Sequence, residues 1–300
     1  MSGASESLKK LGISRKLFAV IIAVLYAIPV FYPLGLPVPT STWTNDFYNA
    51  IEELEEGDIV AWAQAQGVLE MQTYRDAMRA IVYHILDQGA KIVIFNFDLN
   101  DAPAACTLLM EYCGFGGELG KEYTYPSKVP GRGTMVYGED IVIFPYLAGE
   151  EAALITIRDN MWFFSQDIYG NPIEQIPLMQ RVHTLFDCDL IVWTYQFTTF
   201  PMAAVRQWAE PMWRQKHVKT LDAKRYHAIA AWYGTYVHGC LDSVRGYAEY
   251  EYLTGYRGEE LGRLDARNVV WYFIIGIVVA ANIYYGYTAY IKRKKVRAGG

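Results

Sequence analysis

Three apolar runs in the 300-residue chain each end in side chains able to do chemistry. KIVIFNFD (91–98) delivers Asn96 and Asp98, with Asp101 just beyond; EDIVIFPYL (139–147) is followed by Gly149, Glu150 and Glu151; DCDLIVWTYQF (187–197) carries Gln196 and leads into Thr198 and Thr199. If these runs are strands of an open α/β sheet, their ends form the edge where such sheets hold ligands. Paired carboxylates there could grip a divalent ion or serve as acid and base. The same residues also suit helix caps and first-turn acids that complement the helix dipole. Asn96, Asp98, Asp101, Glu150, Gln196, Thr198 and Thr199 are therefore the candidate ligand-binding residues. No cofactor is implied, and the carboxylates are sparser than hard-cation sites usually require.

Familiar catalytic patterns are missing. GFGGELG (114–120) follows a helical stretch and does not join a strand to a helix, so it supports neither dinucleotide nor P-loop binding. There is no G-x-S-x-G elbow. His84, His183, His217, His227 and His238 are scattered without metal-ligand spacing. His238 and Asp242 are four residues apart, one turn if that stretch is helical, with exposed ion pairing the plainer role. Cys106, Cys113, Cys188 and Cys240 form no CxxC; they read as buried thiols, or as disulfide partners if their domain lies outside the cytoplasm.

Elements alternating between β and α must position these candidates. GDIVAWAQA (57–65) is a first buried strand, and Met71 to Ile85 recur at helical spacing until Gly89. Asp101-Ala102-Pro103 and Thr198-Thr199-Phe200-Pro201 read as cap-and-proline helix starts. This rhythm predicts a Rossmann-like three-layer domain with a mostly parallel sheet. Residues 120–138 interrupt it as a long surface loop. Residues 226–253 read as one helix whose small residues Gly234, Gly239, Ser243 and Gly246 permit close packing. The charged stretch that follows, YEYLTGYRGEELGRLDAR, suits a solvated juxtamembrane helix or a polar subunit contact.

Both ends are apolar. No charge occurs between Leu17 and Asn45 or between Asn268 and Ile291, which predicts transmembrane helices over 17–36 and 268–291 flanking an α/β domain over 43–265. The first run follows a basic segment, as a signal peptide would, but it is long and lacks a small-x-small cleavage site. Basic residues crowd 1–16 and 292–300, so the positive-inside rule puts both termini in the cytoplasm and the domain outside a cell membrane crossed twice. A net charge of −5 argues against nucleic acid as a partner.

DIYGNPIEQIPLM (167–179) and VRGYAEYEYLTG (244–255) resemble segments of a family of uncharacterised membrane proteins with two transmembrane helices, found largely in archaea with some bacterial members. The two-span layout and strand pattern are similar as well, although that family's second motif is richer in glycine and alanine. The resemblance implies no reaction. With 24 tyrosines and 8 tryptophans, residue types favoured at interfaces, the chain reads first as a membrane-anchored assembly module. Such a module would associate with itself or with other membrane subunits. The alternative is a membrane-bound hydrolase or small-molecule sensor using the strand-end crevice.

Overall fold

The computed structural model describes residues 15–196, 199–223 and 234–298. Its helices are α1 (Arg15–Phe31), α2 (Thr42–Glu52), α3 (Val68–Thr73), α4 (Arg75–Asp87), α5 (Ala102–Tyr112), α6 (Glu151–Asp159), α7 (Thr199–Ala204), α8 (Glu210–Lys216), α9 (Ser243–Thr254) and α10 (Glu259–Ala298). The strands are β1 (Ile59–Ala65), β2 (Lys91–Asn96), β3 (Glu122–Thr124), β4 (Thr134–Val136), β5 (Ile141–Tyr146), β6 (Leu190–Tyr195), β7 (Lys219–Asp222) and β8 (Gly239–Cys240). The chain divides into two compact units, Val38–Glu260 and Met1–Pro37 with Leu261–Gly300.

The larger unit is α/β. Its six-stranded sheet runs β5-β2-β1-β6-β7-β8, every neighbouring pair parallel. Counted among the sheet's own strands, that is the doubly wound order 3-2-1-4-5-6, which reverses between β1 and β6. β1 is buried along its whole length, as a strand covered on both faces must be. Alternate side chains feed two cores. Val60, Trp62, Ile92, Ile94 and Val192 pack with α4, α5 and α9 on one face. Ala61, Val93, Phe95, Phe144 and Trp193 pack with α6, α7 and α8 on the other.

Several expectations need correction. Residues 120–138 are not a plain loop, because β3 and β4 pair there as an antiparallel hairpin. The predicted helix over 226–253 is divided. Residues 224–233 lie outside the described residues, 239–240 form edge strand β8, and helix resumes only at Ser243. Gly239 explains the break, since a Cβ there would stand 2.5 Å from the Phe47 backbone N and Cα. Strand β8 therefore approaches α2 more closely than any side chain permits. His238 is consequently extended, not helical. Its backbone N–H donates to Thr220 O at 2.8 Å, and its Nδ1 accepts from Thr220 N at 3.2 Å.

The charged stretch 250–267 spans the end of α9 and the start of α10 and is only partly solvated, with Arg257, Glu259 and Arg267 exposed. Glu249, Glu251, Glu260 and Asp265 are all buried. Glu249 accepts from the Ser41 amide at 2.9 Å and from the Ser41 and Thr44 hydroxyls, fixing the start of α2. Glu251 accepts from Gly258 N at 3.1 Å. Asp76 on α4 accepts from Glu259 N at 2.9 Å, holding the first turn of α10. These acids satisfy backbone donors that helix starts leave open.

Within the smaller unit, α1 is shorter than the predicted first span. It ends at Phe31, two residues after Pro29, and the chain is non-helical from 33 to 41. Among the described residues one helix is long and apolar enough to cross a membrane, α10 through Ile291, and its most apolar window is entirely unburied. Two contacts relate α1 to α10: Phe18 stacks on Phe273 at 6.1 Å, and Gly262 faces Pro29 O. The residue order of those contacts makes the pair antiparallel. Asp265 accepts from Gly35 N at 3.0 Å and ties the exit from α1 to the base of α10.

Candidate functional site

Strand ends, sequence-predicted as the ligand edge, sort into three groups. Asn96 is structural: fully buried, it donates to Phe144 O at 2.7 Å and accepts from Cys106 Sγ at 3.2 Å. Such pairing knits β2 to β5 and α5 and leaves the amide no freedom to meet a ligand.

Asp101 and Gln196 close the crevice at the strand reversal. Asp101 does not cap its own helix; its Oδ2 accepts from Val68 N at 3.1 Å, capping α3 instead. Gln196 Oε1 accepts from Gly67 N at 3.4 Å. A Cβ on Gly67 would stand 2.7 Å from Asp101 Oδ2, so the loop after β1 and the start of α5 are already in contact. The position where doubly wound folds seat a ligand is thus occupied by the chain's own polar groups. Gln66, fully buried beside it, has no hydrogen-bond partner among the described residues for either side-chain polar atom. Thr198 lies outside the described residues.

Asp98, Glu150 and Thr199 line one cavity of about 350 Å³, with Glu151, Phe200, Met202 and Arg206. Asp98 follows β2 with φ 63°, and Glu150 precedes α6 with φ 46°. Neither is glycine, and backbone of this kind costs energy that surrounding structure must sustain, a frequent mark of functional positions. Glu150 makes no side-chain cap to α6. Asp98 Oδ2 is buried without a hydrogen-bond partner among the described residues. Burial first, and the nearby Glu150 carboxylate second, raise the Asp98 pKa above the usual carboxylate range.

Glu151 behaves differently although it is next in sequence. Arg206 grips it with Nε at 3.1 Å and Nη2 at 2.8 Å, and Gln207 Nε2 donates at 2.7 Å. Arg206 first, then Gln207, push its pKa down to about 2. Arg206 stands on a π-helical turn, Val205–Ala209, between α7 and α8; such turns recur at functional sites. Its charge is taken by Glu151, so among the described residues the cavity presents Asp98 and Glu150 without a cationic partner. Arg206, Phe200 and Met202 were not legible as site residues, because Glu151 and Arg206 are 55 positions apart with no local pattern linking them.

His84 and His238 are committed to structure. His84 Nδ1 accepts from the Tyr250 hydroxyl at 2.7 Å and Nε2 donates to Glu52 at 2.9 Å, the neutral tautomer that its burial-lowered pKa favours. His238 is pushed down to about 4 by burial and then by Lys219. All four cysteines are buried. Among the described residues no group of three or more His, Cys, Asp or Glu could hold a metal ion. No family model, curated relative or solved structure matches the chain.

Proposed function

We propose that this chain is a membrane-anchored α/β binding module that takes a small organic cation, such as a short amine, in the Asp98–Glu150 cavity. The observation that carries it is the convergence of two strained, non-glycine carboxylate residues on one cavity, with an unpartnered buried oxygen on Asp98. An ammonium group would supply the missing donor and offset the repulsion between the two acids. Phe200, Met202 and Ala203 offer apolar wall for the carbon part of the ligand. Among the described residues of this cavity no nucleophile is paired with a base, so binding is favoured over hydrolysis.

Two features support the membrane anchor. The apolar side chains of α10, Trp271 and Ile275 among them, are exposed, a surface that water would penalise and lipid would accept. The antiparallel contacts of α1 with α10 suit two spans with both termini on one side, where the basic flanks call for the cytoplasm. At 17 residues α1 is near the lower limit of what crosses a hydrocarbon core. The aromatic richness that would motivate an assembly surface is largely absorbed by the core, where Trp62, Trp193, Trp208, Tyr137, Tyr195, Tyr247 and Tyr250 are buried.

The test is a thermal-shift series on the detergent-solubilised chain. Primary amines and their isosteric alcohols would be compared in wild type and in the Asp98→Asn, Glu150→Gln double variant. Amines should raise the melting point of the wild type, alcohols should not, and the double variant should lose the response. Equal shifts in both proteins, or none with any amine, would refute the assignment.

A further inference from the structure

A second groove, of about 330 Å³, collects positive charge on a chain whose net charge is −5. Arg79 comes from α4, Lys128 from the β3–β4 loop and Arg257 from the segment between α9 and α10, with the rings of Tyr83 and Tyr256 as walls. The sequence offers no hint of it, since the three cations are far apart along the chain.

One buried carboxylate builds the groove. Asp87, at the end of α4, accepts from the Lys128 amide at 3.2 Å and from the Ser127 and Tyr256 hydroxyls. The Tyr256 hydroxyl also accepts from the Lys128 amide at 3.1 Å. The hairpin loop and the post-α9 turn are thereby fastened to the same helix end. Tyr83 donates its hydroxyl to Cys113 O at 2.9 Å, and both tyrosines are nearly buried where they line the groove, with their hydroxyls engaged elsewhere.

Charge in the groove is unevenly matched. Arg79 is ion-paired with Asp76 at 3.0 Å and lies over the Tyr112 ring. The Lys128 ammonium sits over the Tyr256 ring at 5.3 Å. Among the described residues neither Lys128 nor Arg257 is ion-paired with a carboxylate, and both are exposed. Two uncompensated cations, one a planar fork and one a point charge, beside two aromatic walls match a doubly charged phosphate attached to an organic group.

We propose that this groove binds a phosphate monoester, with Arg257 and Lys128 contacting the phosphate, Arg79 reinforcing the positive field, and Tyr83 and Tyr256 flanking the attached group. Such a ligand could be a soluble phosphomonoester or the headgroup of an anionic phospholipid. The site is separate from the Asp98–Glu150 cavity and does not depend on what that cavity takes.

Calorimetric titration of the full chain in an uncharged detergent tests this. The probes are phenyl phosphate, dihexanoyl phosphatidic acid and, as a zwitterionic control, dihexanoyl phosphatidylcholine. At least one monoester should bind saturably and the control should not. Lys128→Gln with Arg257→Gln should weaken binding about tenfold or more while leaving the ligand-free melting point unchanged. Arg257→Gln alone, which removes an exposed side chain with no ion-pair partner to lose, gives the same readout if the double variant misfolds. Comparable binding of both monoesters identifies a soluble phosphate ligand, and binding of phosphatidic acid alone identifies the lipid. Saturable binding of neither, or undiminished affinity in a folded variant, overturns the proposal.

Discussion

Asp98 combines a left-handed backbone with a carboxylate that burial and Glu150 both discourage from ionising. The native state therefore holds the Asp98 proton more tightly than the unfolded chain does. Native stability is favoured below the unfolded pKa and falls as pH rises through the raised value. Asparagine tolerates the same positive φ and carries no charge, so Asp98→Asn should escape that loss. In ligand-free protein the variant should melt above wild type at neutral pH by the equivalent of roughly 0.5 kcal/mol, a modest figure because water still screens the group. The difference should vanish below about pH 3.5, where the unfolded carboxyl is protonated as well. Circular-dichroism melts at the two pH values check it, and a variant less stable at both would show that Asp98 is a structural acid. The strand-end rule made Asp98, Glu150 and Thr199 readable from sequence, because an apolar β-run shows where its carboxyl end must fall. It could not tell them from Asn96 and Asp101. What separates these residues is a bond to Phe144 O in one case and to Val68 N in the other, both set by packing between distant segments.

Elements that are long and strongly apolar were legible, and short ones were not. The runs at β1, β2, β5 and β6 stand out because both faces of each strand are covered. β8 has two residues, one of them glycine, with no periodicity at all, and owes its place to the close approach of α2. Gly239→Ala tests that account. Its new methyl would meet backbone atoms of Phe47, which cannot swing aside, so a loss of about 3 kcal/mol or more is expected in thermal or urea unfolding. Gly276→Ala in α10, where nothing lies within 4 Å of the added carbon, is the control and should be neutral or slightly stabilising. Equal effects of the two substitutions would remove close approach as the reason for the glycine. The acids of α9 were misleading for a related reason. Their spacing looks like a wetted helix face, yet Glu249 and Glu251 are held inside by backbone donors elsewhere in the chain.

At the scale of the whole molecule, the two-pass arrangement proposed above makes a definite topological forecast. Because every native cysteine is buried, a membrane-impermeant maleimide should report on an introduced one alone. Val129→Cys, 39% exposed between β3 and β4, should be labelled from outside intact cells, while a reporter fused after Gly300 should remain protected. Labelling with the sides exchanged would reverse the orientation inferred from the basic flanks. The parallel sheet bears on how such a chain is made. Its central strand β1 must find β6, and the Ile59 amide bonds to the Asp189 carboxylate 130 residues away. Until Asp189 and the strand after it have left the ribosome, β1 carries an exposed apolar edge with one of its two partners, β6, unsynthesised. Pairings so distant in sequence close slowly. A nascent chain of this kind is therefore expected to depend on holding chaperones during translation, and to aggregate when its synthesis outpaces them.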